Sequence, residues 1–215
     1  MSLRLEPCSY EAAQYAVLRW HYSRSMPAGK MFRLGCWYED TFWGVIIFSR
    51  SSNYRIGRPY GLEQTGVAEL TRVALKRGHP FPVSRAVAIA LRLLKKHNPG
   101  LRLVVSYADA QQGHVGKIYQ AGNWAYVGQA GWATSIELLG RRWHRRSVKS
   151  RFGTSSIGWL RAHSDSTARA VGNPVKSKYL MPLDKVMRRQ IAALLKPYPK
   201  RLPDRGTPDQ QEQAV

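Results

Sequence analysis

Apolar residues recur every three to four positions in two stretches of the chain and run together or alternate in several others, and the two patterns predict different elements. In SYEAAQYAVLRWHYS, Ala13, Val17 and Trp20 share a helical face behind a serine suited to capping, which predicts a helix from about Tyr10 to Trp20. In HPFPVSRAVAIALRLLKKHNPG, one face carries Val83, Val87, Ala90, Leu91 and Leu94. Pro82 suits a first turn, Lys95 and Lys96 sit near the end, and Asn98-Pro99-Gly100 stops the helix. MFRLGCWYED and FWGVIIFSR are β-branched and aromatic and predict two strands, with Glu39-Asp40-Thr41 as the hairpin turn. SSNYRIGRPYG reads as a loop, GVAELTRVALK and LRLVVSYAD as strands, and GHVGKIYQAG as a short helix. WAYVGQAG and TSIELLGRRWH read as two further strands. The order β, α, β, β, β, α, β, α, β, β predicts an α/β (α+β) fold, a mixed sheet flanked by helices.

Charge changes this ordinary picture. The 215 residues carry a net +21, with a pI near 10.6. A surplus that large repels itself in a folded chain and points to a polyanionic partner. It is uneven: residues 141–215 hold 17 Lys and Arg against 5 acids, residues 1–140 hold 17 against 8. The expected division is therefore a catalytic core over 1–140, a basic extension over 141–201 integrated with it, and a disordered polar tail over 202–215. In the extension, Arg141, Arg142, Arg145, Arg146, Lys149 and Arg151 are candidates for phosphate contact, as is Lys30 in the first half. Trp143, Phe152 and Tyr179 are candidates for stacking on bases, or for packing inward. No run approaches the roughly 18 apolar residues of a membrane span. The N-terminus lacks a signal-peptide core, and Cys8 and Cys36 have no metal or disulfide spacing and read as packing thiols. A cytoplasmic protein without a membrane partner is expected.

Candidate chemistry gathers in VVSYADAQQGHVGKIYQAGNWAYVG. Asp109 ends an apolar strand beside Gly113 and His114, the place for a functional carboxylate or a helix cap. Tyr119, one helix later, is a proton donor with an ordinary pKa near ~10, or a core residue. His21-Tyr22 follows the first helix, and a His/Tyr/Asp set has the chemistry of an iron site, though no spacing demands one. Arg72 inside a strand calls for an anion or a partner on the Glu69 side.

The element order resembles the GNAT acyltransferase superfamily. HYSRSMPAGK, ELTRVAL, YADAQQGHVGKIYQAGNWAYVG, RFGTSSIGWL and PYPKR resemble the Mom family of phage DNA-modification proteins, over about residues 4–201. The resemblance implies a splayed central sheet, with an acyl carrier between its fourth and fifth strands. The implied activity adds a carbamoylmethyl group to N6 of adenine and protects phage DNA, in the host cytoplasm, from restriction. It implies catalytic roles for Asp109, Tyr119, His21 and Tyr22, and carrier-binding roles for Arg72, Ser84 and Arg85. Asp109 would face the adenine amino group and Tyr119 the leaving atom, with Gly113 and Gly116 letting backbone approach the donor.

The GNAT phosphate loop is Gly-rich, whereas KRGHPFPVSR has one glycine and two prolines and so fewer N–H donors. The implied donor is acetyl-CoA or a glycyl donor such as an aminoacyl-tRNA, the latter supplying the product's nitrogen. Double-stranded DNA is the implied partner, with tRNA and a second copy of the chain as further ones. Two other functions fit the same residues: a GNAT enzyme acylating another amine, and a DNA-binding protein with an inactive GNAT core.

Overall fold

A computed structural model describes residues 2–109, 115–130, 134–172 and 176–199, apart from the side chains of Thr134 and Arg146. Strand β1 (Leu3–Pro7) leads into helix α1 (Tyr10–Trp20), where the Ser9 side chain accepts from the Ala12 N–H and stabilises the first turn by about 0.5–2 kcal/mol. Strands β2 (Met31–Tyr38) and β3 (Thr41–Ser49) form a hairpin. Its turn residues Glu39 and Asp40 both have positive φ, 48° and 60°, as a two-residue turn matching the strand twist requires. Then come β4 (Val67–Leu75), α2 (Val83–His97) and β5 (Leu103–Asp109), followed by α3 (Lys117–Ala121) and β6 (Ala125–Ala130). From α1 to β6, each of these elements falls where periodicity predicts it, whereas β1 comes in the expected order without a predicted range.

Beyond residue 130 the topology departs from expectation. TSIELLGRRWH is not one strand but a hairpin, β7 (Thr134–Leu138) and β8 (Arg141–His144). Leu139 and Gly140 turn the chain at φ 51° and 66°, and the Asp165 carboxylate accepts the Leu139 N–H at 2.6 Å. Helices α4 (Arg145–Phe152) and α5 (Ile157–His163) and strand β9 (Arg169–Gly172) complete a small unit whose sheet runs β8-β7-β9. Strand β10 (Lys176–Pro182) then returns to the main sheet, followed by α6 (Lys185–Gln190). The main sheet runs β1-β2-β3-β4-β5-β10-β6, and among the described residues only its β4–β5 pair is parallel. The sheets divide the chain by pairing: β7 lies in the sheet of the basic unit, and β10 lies in the main sheet between β5 and β6. The tail expected to be disordered lies outside the described residues.

One face of the main sheet is covered by α2, whose Ala86, Val87, Ala90, Leu91 and Leu94 are buried against Leu34, Ile46, Phe48, Val104 and Trp124. Burying each Val or Leu there contributes roughly 1.5–3 kcal/mol. The other face is covered by α1 over β3 and β4, and by residues 56–60 with α6 over β4, β5 and β10. The basic unit has its own core of Ile136, Leu138, Val148, Leu160 and Ala168. Among the described residues, no helix is long and apolar enough to cross a membrane.

Candidate active site

Strands β4 and β5 pair only at Val67–Glu69 with Leu103–Val105. Beyond that point β4 continues beside β3, and β5 continues beside β10 as far as Asp109. The two strands diverge, and the fork opens into a cleft of about 620 Å³. Its walls bring together six residues expected from the sequence: His21, Tyr22, Arg72, Asp109, Gly116 and Tyr119. Ser84 and Arg85 are not on the walls; they stand on the first turn of α2 beside Val83, which is.

Divergence has a chemical consequence at the vertex. The Leu70 carbonyl accepts from the Ser106 hydroxyl at 2.9 Å, and the same hydroxyl lies 2.8 Å from the Tyr119 oxygen. One serine proton cannot serve both. With it on Leu70, Tyr119 donates to Ser106; turned the other way, Ser106 donates to Tyr119 and frees the phenol proton for the cleft. Burial pushes the Tyr119 hydroxyl up to about 12, so the group is protonated at neutral pH.

Asp109 is largely buried, its carboxylate 3.3 Å from the Lys176 ammonium on β10. The His21 ring stacks on Tyr22 at 4.4 Å, and its Nδ1 accepts the Ser23 N–H at 3.1 Å. That acceptor role puts the proton of a neutral His21 on Nε2, making this imidazole a donor. Arg72 is half-buried and anchors the loop after α1, donating to the carbonyls of Ser25 at 2.9 Å and Thr71 at 2.8 Å.

Three further residues at or near the fork are not singled out as site residues by the sequence. His79 lines the cleft and holds the Phe81 carbonyl at 2.7 Å. A carbonyl only accepts, so Nδ1 is the nitrogen that carries a proton here. Glu69 sits at the last paired position of the fork, where burial raises its carboxyl pKa against the opposing pull of Ser51, Arg72, Lys176 and Lys178. Lys178, lowered by burial, lies 5.1 Å from the Tyr60 ring centroid. The single cue to the Glu69–Lys178 cluster is charge inside a β pattern, in AELTR and KSKYL.

Some expectations are overturned. Tyr179 is fully buried and donates to the Val115 carbonyl at 2.7 Å, so it is a core residue and not a stacking platform. Trp143 and Phe152 pack against the core of the basic unit, and the Trp143 indole donates to the Leu138 carbonyl at 3.1 Å. Gly116 lines the cleft, and a side-chain carbon there would lie 2.5 Å from the Tyr179 ring with φ at +80°, so packing and backbone both require a glycine. Gly113 and His114 lie outside the described residues. Cys8 and Cys36 are free thiols that burial pushes up, Cys36 to about 12. Among the described residues, no three His, Cys, Asp or Glu side chains gather into a metal site.

Arg141, Arg142, Arg145, Lys149 and Arg151 are all exposed on the basic unit. Arg142 also donates to the Gly172 carbonyl at 3.0 Å and Arg145 to Ser155 at 3.3 Å, while Arg151 lies over Trp143 at 5.4 Å. The Arg146 side chain lies outside the described atoms. Lys30 is exposed just before β2, on the main sheet and apart in sequence from the basic unit.

Comparison with known proteins agrees with this geometry. The chain matches solved structures of aminoglycoside acetyltransferase AAC(6')-Ib, one in complex with coenzyme A and kanamycin and one with coenzyme A. For each, the TM-score is 0.51 at 7% identity, covering 88% of this chain and 98% of that one, which shows the GNAT acetyltransferase fold. The methylcarbamoylase Mom of Escherichia phage Mu is 30% identical over 207 residues, 92% of this chain and 84% of that protein. The Mom protein family model matches residues 2–200, and the chain belongs to that family.

Proposed function

We propose that this chain is a transferase that adds a carbamoylmethyl group to N6 of adenine in double-stranded DNA. The observation that carries the reading is one cleft, at the fork of β4 and β5, holding Asp109 and Tyr119 beside a strongly basic unit. The kinship with the methylcarbamoylase of phage Mu supports it.

The exocyclic amine of adenine is a poor nucleophile, because its lone pair is delocalised into the ring. Asp109 accepts a hydrogen bond from that amine and orients it, and the base is flipped out of the duplex to reach the cleft. Tyr119, protonated at neutral pH, donates its proton to the leaving atom of the donor. As the phenol proton leaves, Ser106 turns its own proton from Leu70 to the Tyr119 oxygen and stabilises the phenolate. His21 directs its Nε2 N–H at a developing oxyanion, and Tyr22 packs on the acceptor side.

The donor is an acyl carrier, which supplies an activated acyl group. The chain's residues fit a phosphate-bearing one: no side chain caps α2, leaving first-turn N–H groups for an anion, with Ser84 and Arg85 beside them. A glycyl group contains the same atoms as a carbamoylmethyl group, whereas acetyl lacks the nitrogen. That favours a glycyl donor over acetyl-CoA. Acyl transfer first joins N6 to the glycyl carbonyl and releases the carrier. An isomerisation that exchanges the two nitrogens between the carbonyl and methylene carbons then gives the carbamoylmethyl product.

The test is to express the chain in cells and measure the nucleosides of a resident plasmid by mass spectrometry. The expected result is a heavier deoxyadenosine and plasmid that resists some restriction enzymes. Unchanged nucleosides from a well-expressed, folded chain would overturn the reading.

A further inference from the structure

The basic unit, residues 134–172, is joined to the main sheet at the cleft. Lys176 pairs with Asp109 on one side and with Ala130 on the other. Four residues beyond each crossing, Thr134 and Gly172 pair at the near end of the small sheet. The connections span at most about 14 Å of chain. The unit is therefore rooted beside the carboxylate expected to meet the adenine.

Its orientation follows from three contacts. His144, paired with Ser135, lies at the root, and α4 starts at the next residue. Arg145 there holds the Ser155 carbonyl, just before the α5 cap Ser156. At the far turn, Asp165 accepts the Leu139 N–H. Helix α5 thus runs outward from the root, and Trp159 lies within its first turn.

Trp159 is 41% exposed. The core of the unit is closed by Ile136, Leu138, Val148, Leu160 and Ala168 without it. Its ring stacks on His163 at 4.6 Å with the planes 12° apart, which holds the indole in one orientation and covers one of its faces, leaving the other for a base. The surrounding 39 residues carry eight Lys and Arg against two acids. Both acids are engaged, Glu137 with Arg169 at 2.8 Å and Asp165 with Leu139 and Thr167. A projecting apolar plate on a surface of this charge fits one partner, a duplex whose phosphates meet the arginines and whose base stack admits an aromatic wedge.

We propose that Trp159 enters the DNA stack and occupies the space of the adenine that is flipped into the cleft. The proposal rests on the reading of the chain as a DNA adenine-modifying enzyme. A flipped base leaves a gap whose neighbours lack a stacking partner, and an inserted indole takes its place. It also kinks and unwinds the duplex locally. The sequence cue, RFGTSSIGWL, separates this tryptophan from Trp143 by a helix and a turn, and Trp143 is the one that packs inward.

The test needs neither donor nor sequence context. Closed circular plasmid is relaxed by a topoisomerase in the presence of the full chain, and the topoisomers are then resolved. The parent should shift the linking number. Trp159→Ala and Trp159→Gln should bind the plasmid at the parental melting temperature without shifting it, and Trp159→Phe should restore the shift. In cells, the Ala and Gln variants should lower adenine modification by roughly 10-fold or more, and the Phe variant by less than about 3-fold. Two polar replacements that shift topoisomers as the parent does would overturn the wedge. A parent that shifts topoisomers but leaves deoxyadenosine unmodified overturns the enzymatic reading and keeps the wedge. A parent that modifies DNA without any shift does the reverse.

Discussion

At the vertex of the fork, Glu69 and its neighbour Lys178 are half-buried, and burial moves the carboxyl pKa up and the amine pKa down. In the basic unit, Arg141, Arg142, Arg145, Lys149 and Arg151 all stand in water. The same charged residue types thus meet two dielectric settings. Around the fork, Arg72, His79, Ser106, Asp109 and Tyr119 have short, directed partners, and removing one leaves its neighbour unsatisfied at a cost of about 1–3 kcal/mol. On the basic unit, each charge adds a small, salt-screened increment, and the effect grows with the number of charges. On the function proposed here, chemistry belongs to the first setting and capture of a polyanion to the second.

The largest effects should come from the cleft. Asp109→Asn keeps shape and removes charge, and Tyr119→Phe removes only the hydroxyl. Each should lower adenine modification, measured on plasmid nucleosides, by roughly 10²–10⁴-fold while DNA affinity stays at the parental value. Parental modification by both would move the chemistry to His21, His79 or Glu69.

Next in size is the basic unit. Replacing Arg141, Arg142, Arg145 and Lys149 together by alanine should weaken binding to duplex DNA by roughly 10-fold or more. The slope of log affinity against log salt should fall by about 0.9 for each phosphate that is no longer neutralised. Modification at saturating DNA should survive. An unaltered salt slope would take these side chains off the DNA surface and erase the contrast.

The smallest effect tests a charge of intermediate setting. Asp184 pairs with Arg102 through two hydrogen bonds, at 2.9 and 3.1 Å, and caps α6 by accepting the Met187 N–H. The Arg102 hydrogen bond is the main cause that brings its carboxyl from 3.8 down to about 2. A carboxyl depressed in the folded state contributes stability that is full above about pH 4 and is lost as the pH falls through about 2. Asp184→Asn should flatten the acid limb of the stability curve in that window, read as melting temperature against pH, and leave the curve above about pH 5 parallel to the parent's. An unchanged acid limb would show that the pair is screened like the surface arginines.

What could be read from the sequence was local. Ser9 as a cap, the apolar face of α2 and the Glu39-Asp40 turn depend on residues within one or two turns of each other, and periodicity carries that information. Asp109, Tyr119 and His21-Tyr22 were legible as unusual polar residues at the ends of predicted elements, and the structure brings them to one cleft. Tyr179 and Trp143 were not legible, because an aromatic between basic residues looks the same whether its ring faces a core or solvent. Only packing against Tyr119 and Tyr126, at 4.9 and 5.3 Å, decides the first case. The fork itself depends on pairing across distant segments: β4 lets go of β5 after three residues, and β10, about 70 residues later, takes the other edge of β5. Ser106 and Glu69 gain their meaning from that divergence, the first through its contact with Tyr119 at 2.8 Å and the second as the last paired residue of the fork. Sequence determined the elements and the charge, because those follow from neighbours in the chain. Tertiary structure decided which polar groups meet, because strand pairing and burial are set by residues far apart in sequence.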